Sequence, residues 1–331
     1  MSEGTLLIAK HEVANLLTIA TCMDAVENAF KLQAEGKVAR PKILGIPVEE
    51  GGFHIKAGTM NSSRHYFVAK LNANFPNNRI NNLPTIQGVI AVCDAKNGKL
   101  LALLDSIEIT IIRTGAATGV AAKYLSKNDA KVATICGCGN QGRISLKALM
   151  HVRKVETIYA YDIDKDQSKK FAEELSKELN VSIVPVDFLR NALNQSDIII
   201  TCTPSKKPFM FLEDVRPGTF IAAVGSDNED KQELDCSLLA SSKIVVDLVE
   251  QAASIGELHH AIEKGVTTLT DVHAELGEVI AGHKQGRISD DEVIIFDSTG
   301  TALQDMAASA IVYEKALAAK IGMTLNFGAW N

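Results

Sequence analysis

Between Lys131 and Asp297 the sequence changes its period every few residues. Short β-rich runs (KVATIC, ETIYAYD, VSIVPV, DIIITCT, TFIAAVG, KIVVDL, EVIIFDS) are separated by stretches of helical spacing such as ISLKALMHV, KKFAEELSKEL and FLRNAL. Strands alternating with helices in this way specify a parallel, doubly wound sheet. The first strand-to-helix turn of the series reads GCGNQG, with glycines at Gly137, Gly139 and Gly142. Glycines at this spacing let the backbone turn tightly and approach a pyrophosphate, which the free amides and dipole of the helix start then stabilise. The next strand ends in YAYDID, and Asp162 stands where an acid accepts from a ribose 2′-hydroxyl. An acid there repels a 2′-phosphate, so NAD is expected over NADP.

The remaining cofactor contacts are expected at the carboxyl ends of later strands, where ligands of open α/β sheets lie. TCTPSKKP and VGSDNEDKQELD both pass from apolar strand into small polar residues. They bring Thr203, Pro204, Val224, Gly225 and Ser226 into the expected site, with the nicotinamide near Thr203, Gly225 and Asp227. Asn140 and Gln141 of the glycine turn, Thr114, and the Ser298-Thr299-Gly300 turn complete it.

Upstream the pattern differs. Met1 to about Lys37 reads as helical, and Gly36 is placed to end MDAVENAFKLQAEG. Arg40 to Asp105 reads as a small sheet with hairpins, of which DAKNGKLLAL is the clearest. IEITIIRTGAATGVAAKYL and TALQDMAASAIVYEKALAAKIG read as long helices. With 331 residues the chain accommodates two domains. The expected architecture is α/β: a Rossmann-type doubly wound parallel sheet over 120–300, plus a smaller α+β substrate-binding and dimerisation domain over 1–119 and 301–331.

Charge and cysteine usage narrow the class. A net charge of −6 offers no general attraction to nucleic acid or to an anionic membrane. No apolar run approaches the roughly 20 residues that span a bilayer. The start of the chain carries an early acid and no basic region, so no signal peptide is expected. Six cysteines are scattered without CxxC pairs, which points to a reduced, cytoplasmic protein and to no cysteine metal site. Cys136 and Cys138 read as small fillers, and no metal is expected. His259 and His260 read as part of a solvated helix face, His273 as a helix start, and NEDKQELD as a charge cluster at a helix start.

Hydride chemistry on a nicotinamide needs a carboxylate anchor and a proton shuttle from the protein. Arg40, Lys42, Lys56, Lys70 and Arg113 concentrate cations in the smaller domain, and Lys56 and Lys70 do so within apolar, strand-like surroundings. Buried ammonium groups are costly unless paired or used, and the cluster points to a carboxylate-bearing substrate.

Several ordered motifs carry a resemblance. LPTIQGVIAVCDAKNGKLLALLDSIEITIIRTGAATGVAAKYL, GCGNQGR, VGSDNEDKQELD, DVHAELGEVIAGHKQGR and IIFDSTGTALQD are similar to the ornithine cyclodeaminase/μ-crystallin family over nearly the whole chain, closest to its archaeal alanine dehydrogenase branch. The resemblance implies an NAD-dependent homodimer acting on a small L-amino acid or its 2-oxo or imino acid. It places Lys42 and Asp227 at catalytic positions, and Lys70 and Arg113 at positions that bind the substrate carboxylate. Lys56 falls where the branch carries a carboxylate-binding arginine, which keeps the charge but loses the bidentate fork. Cyclodeaminases carry a glutamate just before a Met-Pro motif, whereas HIKAGTM has no carboxylate. That favours reversible oxidative deamination or imine reduction over cyclisation of ornithine or lysine. Asp162 and Asp227 argue against a non-catalytic NAD(P)H-binding protein of the μ-crystallin kind.

Overall fold

The computed structural model describes residues 4–61 and 64–326. Ser62 and Ser63, part of the NSSRHY loop expected to shape the substrate pocket, lie outside them. The chain divides into two compact units, one of Met1–Arg113 with Thr301–Asn331 and one of Thr114–Gly300.

The second unit is built on eight parallel strands. Their order across the sheet is Val272–Glu275, Lys243–Val246, Ile294–Asp297, Phe220–Ala223, Ile198–Thr201, Val132–Cys136, Thr157–Tyr161 and Ser182–Pro185. From Val132–Cys136 the chain steps outward in one direction for two strands and then returns to Ile198–Thr201 on the other side. This is the strand order of a Rossmann-type sheet, and its switch point lies beside the strand that feeds the glycine turn. Ile198, Ile199 and Ile200 are all fully buried, as are Ile294, Ile295 and Phe296. A parallel sheet covered on both faces explains why these strands are continuous apolar runs rather than alternating ones. A separate two-stranded sheet pairs Lys206–Met210 with Gln232–Leu234.

The first unit is a seven-stranded mixed sheet ordered Met323–Leu325, Thr5–Ile8, Leu100–Asp105, Ile86–Asp94, His65–Asn74, Gly51–Asn61 and Lys42–Val48. Thr5–Ile8 runs parallel to Leu100–Asp105, and the other pairs are antiparallel. Helices Ile19–Ala34 and Ala302–Ala319 pack together, and the latter also lies on the central strands. A Cβ at Gly58 would stand 3.0 Å from Met306 Sδ, so the glycine lets helix and strand approach. Along His65–Asn74, Tyr66, Val68 and Lys70 are buried while Phe67 and Leu71 are exposed, the alternation of a sheet covered on one face. Leu44, Phe53 and Val89 are exposed on that same outward face by register. No helix among the described residues is long and apolar enough to cross a membrane.

Three local expectations are corrected. Thr5–Ile8 is a strand, not the start of a helical segment. A four-residue apolar run has no readable period, and pairing with Leu100–Asp105 decides it. His273 lies on strand Val272–Glu275, with Nε2 2.7 Å from the Gln285 carbonyl. The NEDKQELD segment contains strand Gln232–Leu234, formed because Lys206–Met210 lies alongside.

Candidate active site

The glycine turn assigns a separate task to each glycine. Gly137 has φ +98°, and a Cβ there would stand 2.8 Å from the Cys202 carbonyl oxygen. A Cβ at Gly142 would stand 2.1 Å from the Gly137 carbonyl oxygen, so this glycine seats the helix against the strand. Gly139 meets nothing within 4 Å, and it is the N-cap of helix Asn140–Val152 without any side-chain cap. The start of the helix is thus left open at 139 and its first amides are not capped by a side chain, which is what binding a pyrophosphate there requires. Asp162 follows the next strand; its Oδ2 accepts from the Cys138 amide at 2.8 Å and its Oδ1 from the Asp164 amide at 3.0 Å. The acid is therefore fixed to the turn itself, and Gln141 and Asn140 begin the helix beside it. These residues fit a dinucleotide.

The later strand ends are held by buried acids that no motif announced. The Glu233 carboxylate accepts from Thr201 Oγ1 and the Thr203 amide at 2.6 Å each, and from the Gly225 amide at 2.9 Å. Pro204 and Val224 adjoin these tethered residues. Ser226 donates its hydroxyl to the Lys231 carbonyl at 2.7 Å, and Lys231 Nζ lies 2.6 Å from Asp227 Oδ1. The Asp227 side chain is about half exposed. Asp247 accepts from Thr299 Oγ1 at 2.8 Å and from the Gly300 amide at 2.7 Å, while Ser298 donates its amide to the Ala223 carbonyl at 2.9 Å. Thr114, at the start of this unit, is buried, and its carbonyl accepts from Thr118. Glu257 is pushed well above the ordinary carboxyl range by burial, with Glu233 and Asp297 adding to the effect. Burial also lifts Asp297 to about 7.

In the first unit the structure gathers three of the expected cations around an acid. Lys70 and Arg113 are both buried; Lys70 Nζ lies 2.6 Å from Asp305 Oδ2, and Arg113 Nε lies 3.0 Å from Asp305 Oδ1. Arg113 Nη1 donates to Gln304 Oε1 at 2.6 Å. Lys56 is half-buried and directly opposite Lys70 in the sheet register. Like charges in that position repel. Among the described residues the two buried cations Lys70 and Arg113 share the one Asp305 carboxylate, a positive excess that an anion would neutralise. Burial, with the Arg113 and Lys56 charges, pulls Lys70 down to about 7 against the attraction of Asp305. Burial opposes ionisation of Asp305, yet Lys70 and Arg113 hold it below its ordinary range.

Lys42 is not brought into this cluster. It is exposed and pairs in register with Ala57, one step out of phase with Lys56 and Lys70, so it belongs to the outward pleat. Arg40 is exposed just ahead of it.

Asp305, Gln304 and Glu233 escaped the sequence reading. Asp305 had a signal, being an acid inside the otherwise apolar ALQDMAASA; Glu233 had none, because it sits in a charged stretch. His259 and His260 are half-buried rather than on a solvated face. The His260 Nε2 lies 2.7 Å from the Lys231 carbonyl, and the donor atoms of His259, His260 and Glu263 all lie within 4.8 Å of one another.

Comparison with known proteins gives these two constellations a setting. The model of the ornithine cyclodeaminase/mu-crystallin family matches residues 3–320. The chain belongs to that family. An alanine dehydrogenase of Archaeoglobus fulgidus is 39% identical over 98% of each chain. Among solved members of the family, an archaeal alanine dehydrogenase dimer with bound NAD has a TM-score of 0.94 at 39% identity, covering 98% of this chain and 99% of that one. The Thermococcus litoralis Δ1-pyrroline-2-carboxylate reductase, in complex with NADH and L-proline, has a TM-score of 0.92 at 35% identity, covering 97% and 100%.

Proposed function

We propose that this family member is an NAD-dependent L-amino-acid dehydrogenase or imine reductase, interconverting a small L-amino acid with its 2-oxo or imino acid. The observation that carries the reading is the buried cluster of Lys70, Arg113 and Asp305 with its unbalanced positive charge. Its chemistry suits a substrate carboxylate, and relatives that act on alanine and on pyrroline-2-carboxylate share one group of that kind. When bound, the nicotinamide accepts or returns the hydride at the substrate α-carbon. Lys70 and Arg113, with Lys56, hold the carboxylate and so orient that carbon. Asp227 handles the protons and pairs with the substrate ammonium, whereas Lys42, on the outward pleat of the same sheet, does not share the face that holds the carboxylate. Asp162, anchored to the Cys138 amide, prefers a free ribose hydroxyl to a 2′-phosphate.

A second copy of the chain covers the outward face of the seven-stranded sheet. Leu44 is 53% exposed, Leu71 40% and Phe67 37%, and an open apolar sheet face of this kind calls for a partner. The proposed dimer also encloses the surroundings of Lys42. All six cysteines are free thiols, which fits a reducing cytoplasm.

The test is direct. Purified protein is mixed with NADH, ammonia and pyruvate, with NADH and Δ1-pyrroline-2-carboxylate, and with L-ornithine and a trace of NAD+. Net NADH consumption in either of the first two mixtures supports the reading. Ammonia release from ornithine with proline formation and no net NADH would replace it by cyclodeamination.

A further inference from the structure

Glu233 is fully buried on a strand outside the main sheet, yet it governs two ends of that sheet. Thr203 follows strand Ile198–Thr201 and Gly225 follows its neighbour Phe220–Ala223. One carboxylate accepts from the backbone amides of both, one on each oxygen, and from the Thr201 hydroxyl as well. The seat is tightly built. A Cβ at Gly225 would stand 2.4 Å from the Glu233 carboxyl carbon. Glu257 accepts from the Glu233 and Leu234 amides at 2.8 and 3.1 Å, which fixes the strand that carries the side chain.

Two features of this seat go beyond holding loops. Burial raises the Glu233 carboxyl above its ordinary range, and the Thr203 and Gly225 amides and the Thr201 hydroxyl that converge on its two oxygens pull it back toward the ionised form. All three donors are neutral groups, so among the described residues the negative charge is solvated by dipoles and not cancelled by a cation in contact with it. In a poorly screened interior such a charge acts on its surroundings over several ångströms. Under the functional reading above, on which this inference rests, Thr203 and Gly225 lie beside the nicotinamide. That ring is cationic in NAD+ and neutral in NADH.

We infer that Glu233 is a positioning residue whose buried charge favours the oxidised cofactor over the reduced one at this site. The consequence is directional. Tighter binding of NAD+ relative to NADH pulls the equilibrium on the enzyme toward NAD+ and the amino acid, and so toward imine reduction.

The experiment measures dissociation constants of NAD+, NADH and ADP-ribose by titration calorimetry on the full chain, on Glu233→Gln and on Thr201→Val. In Glu233→Gln the ratio Kd(NAD+)/Kd(NADH) is expected to rise roughly tenfold, the size of a unit-charge effect over about 10 Å at an effective dielectric near 20. ADP-ribose, which lacks the ring, should follow NADH. Thr201→Val loses a hydrogen bond but keeps the charge, so its ratio stays at the wild-type value. Equal weakening of NAD+ and NADH in Glu233→Gln would reduce Glu233 to a loop tether and overturn the inference, as would the same ratio change in Thr201→Val. If Glu233→Gln does not fold, the wild type carries the test: NAD+ should bind at least as tightly as NADH, and NADH binding tighter by tenfold overturns the inference. Wild-type protein that binds neither dinucleotide would instead remove the cofactor reading, and the inference with it.

Discussion

Lys70 Nζ and Asp305 Oδ2 meet at 2.6 Å, with the two side chains only 3% and 1% exposed. One comes from a sheet strand and the other from the first turn of the helix Ala302–Ala319. Asp305 also reaches Arg113, so this one carboxylate joins strand, helix and a second cation. Removing it leaves two buried cations without their counter-charge. Asp305→Ala is expected to lower stability by about 3–5 kcal/mol, read from urea unfolding. A loss under 1 kcal/mol would mean that water reaches the cluster.

The same pair sets a pH dependence. Lys70 is held near 7, below its ordinary 10.5, chiefly by burial. It therefore carries its charge below about pH 7 and loses it above. If the ammonium holds a carboxylate, substrate KM should rise as pH climbs through about 7, with kcat changing less. Lys70→Arg, whose guanidinium stays protonated, should flatten that limb. For stability the sign is opposite: between about 7 and 10.5 the unfolded chain binds the extra proton, so this lysine's cost to folding is relieved as pH rises.

Two glycines of one turn should respond differently to the same substitution. Gly142→Ala forces a Cβ against the Gly137 carbonyl at 2.1 Å and should lower Tm by several degrees. Gly139 has φ −80° and open space around it, so Gly139→Ala should leave Tm nearly unchanged. Its effect should fall on NADH affinity, weakened about tenfold or more, because the methyl occupies the approach to the helix amides. Calorimetry of folding and of NADH binding separates the two.

Asp162→Ala should narrow the preference for NAD+ over NADP+ by at least about tenfold, through loss of the acid that repels a 2′-phosphate. Specificity constants with the two cofactors read this directly. An unchanged ratio would restrict Asp162 to its bond with the Cys138 amide.

The eight-stranded parallel sheet was legible because its signal is local. Buried parallel strands are apolar throughout, and IIIT or IVV between helical spacings states strand and class at once. The glycine turn was legible for a similar reason, since backbone sterics alone demand glycine at 137 and 142. The cations of the first unit could be seen as candidates, because a lysine in an apolar strand is conspicuous wherever it occurs. What pairs with them could not. Asp305 lies 235 positions after Lys70 and 192 after Arg113, and only the packing of Ala302–Ala319 on the sheet brings the three together. Glu233 was hidden for the opposite reason, its charge lost among the neighbouring acids and lysine of NEDKQELD. Composition and period thus determined the strands, the turn and the kind of charge the protein collects. Which charges are buried, which face of a strand Lys42 joins, and which acid is left to balance them are matters of register and packing, and register is set by contacts far apart in the chain.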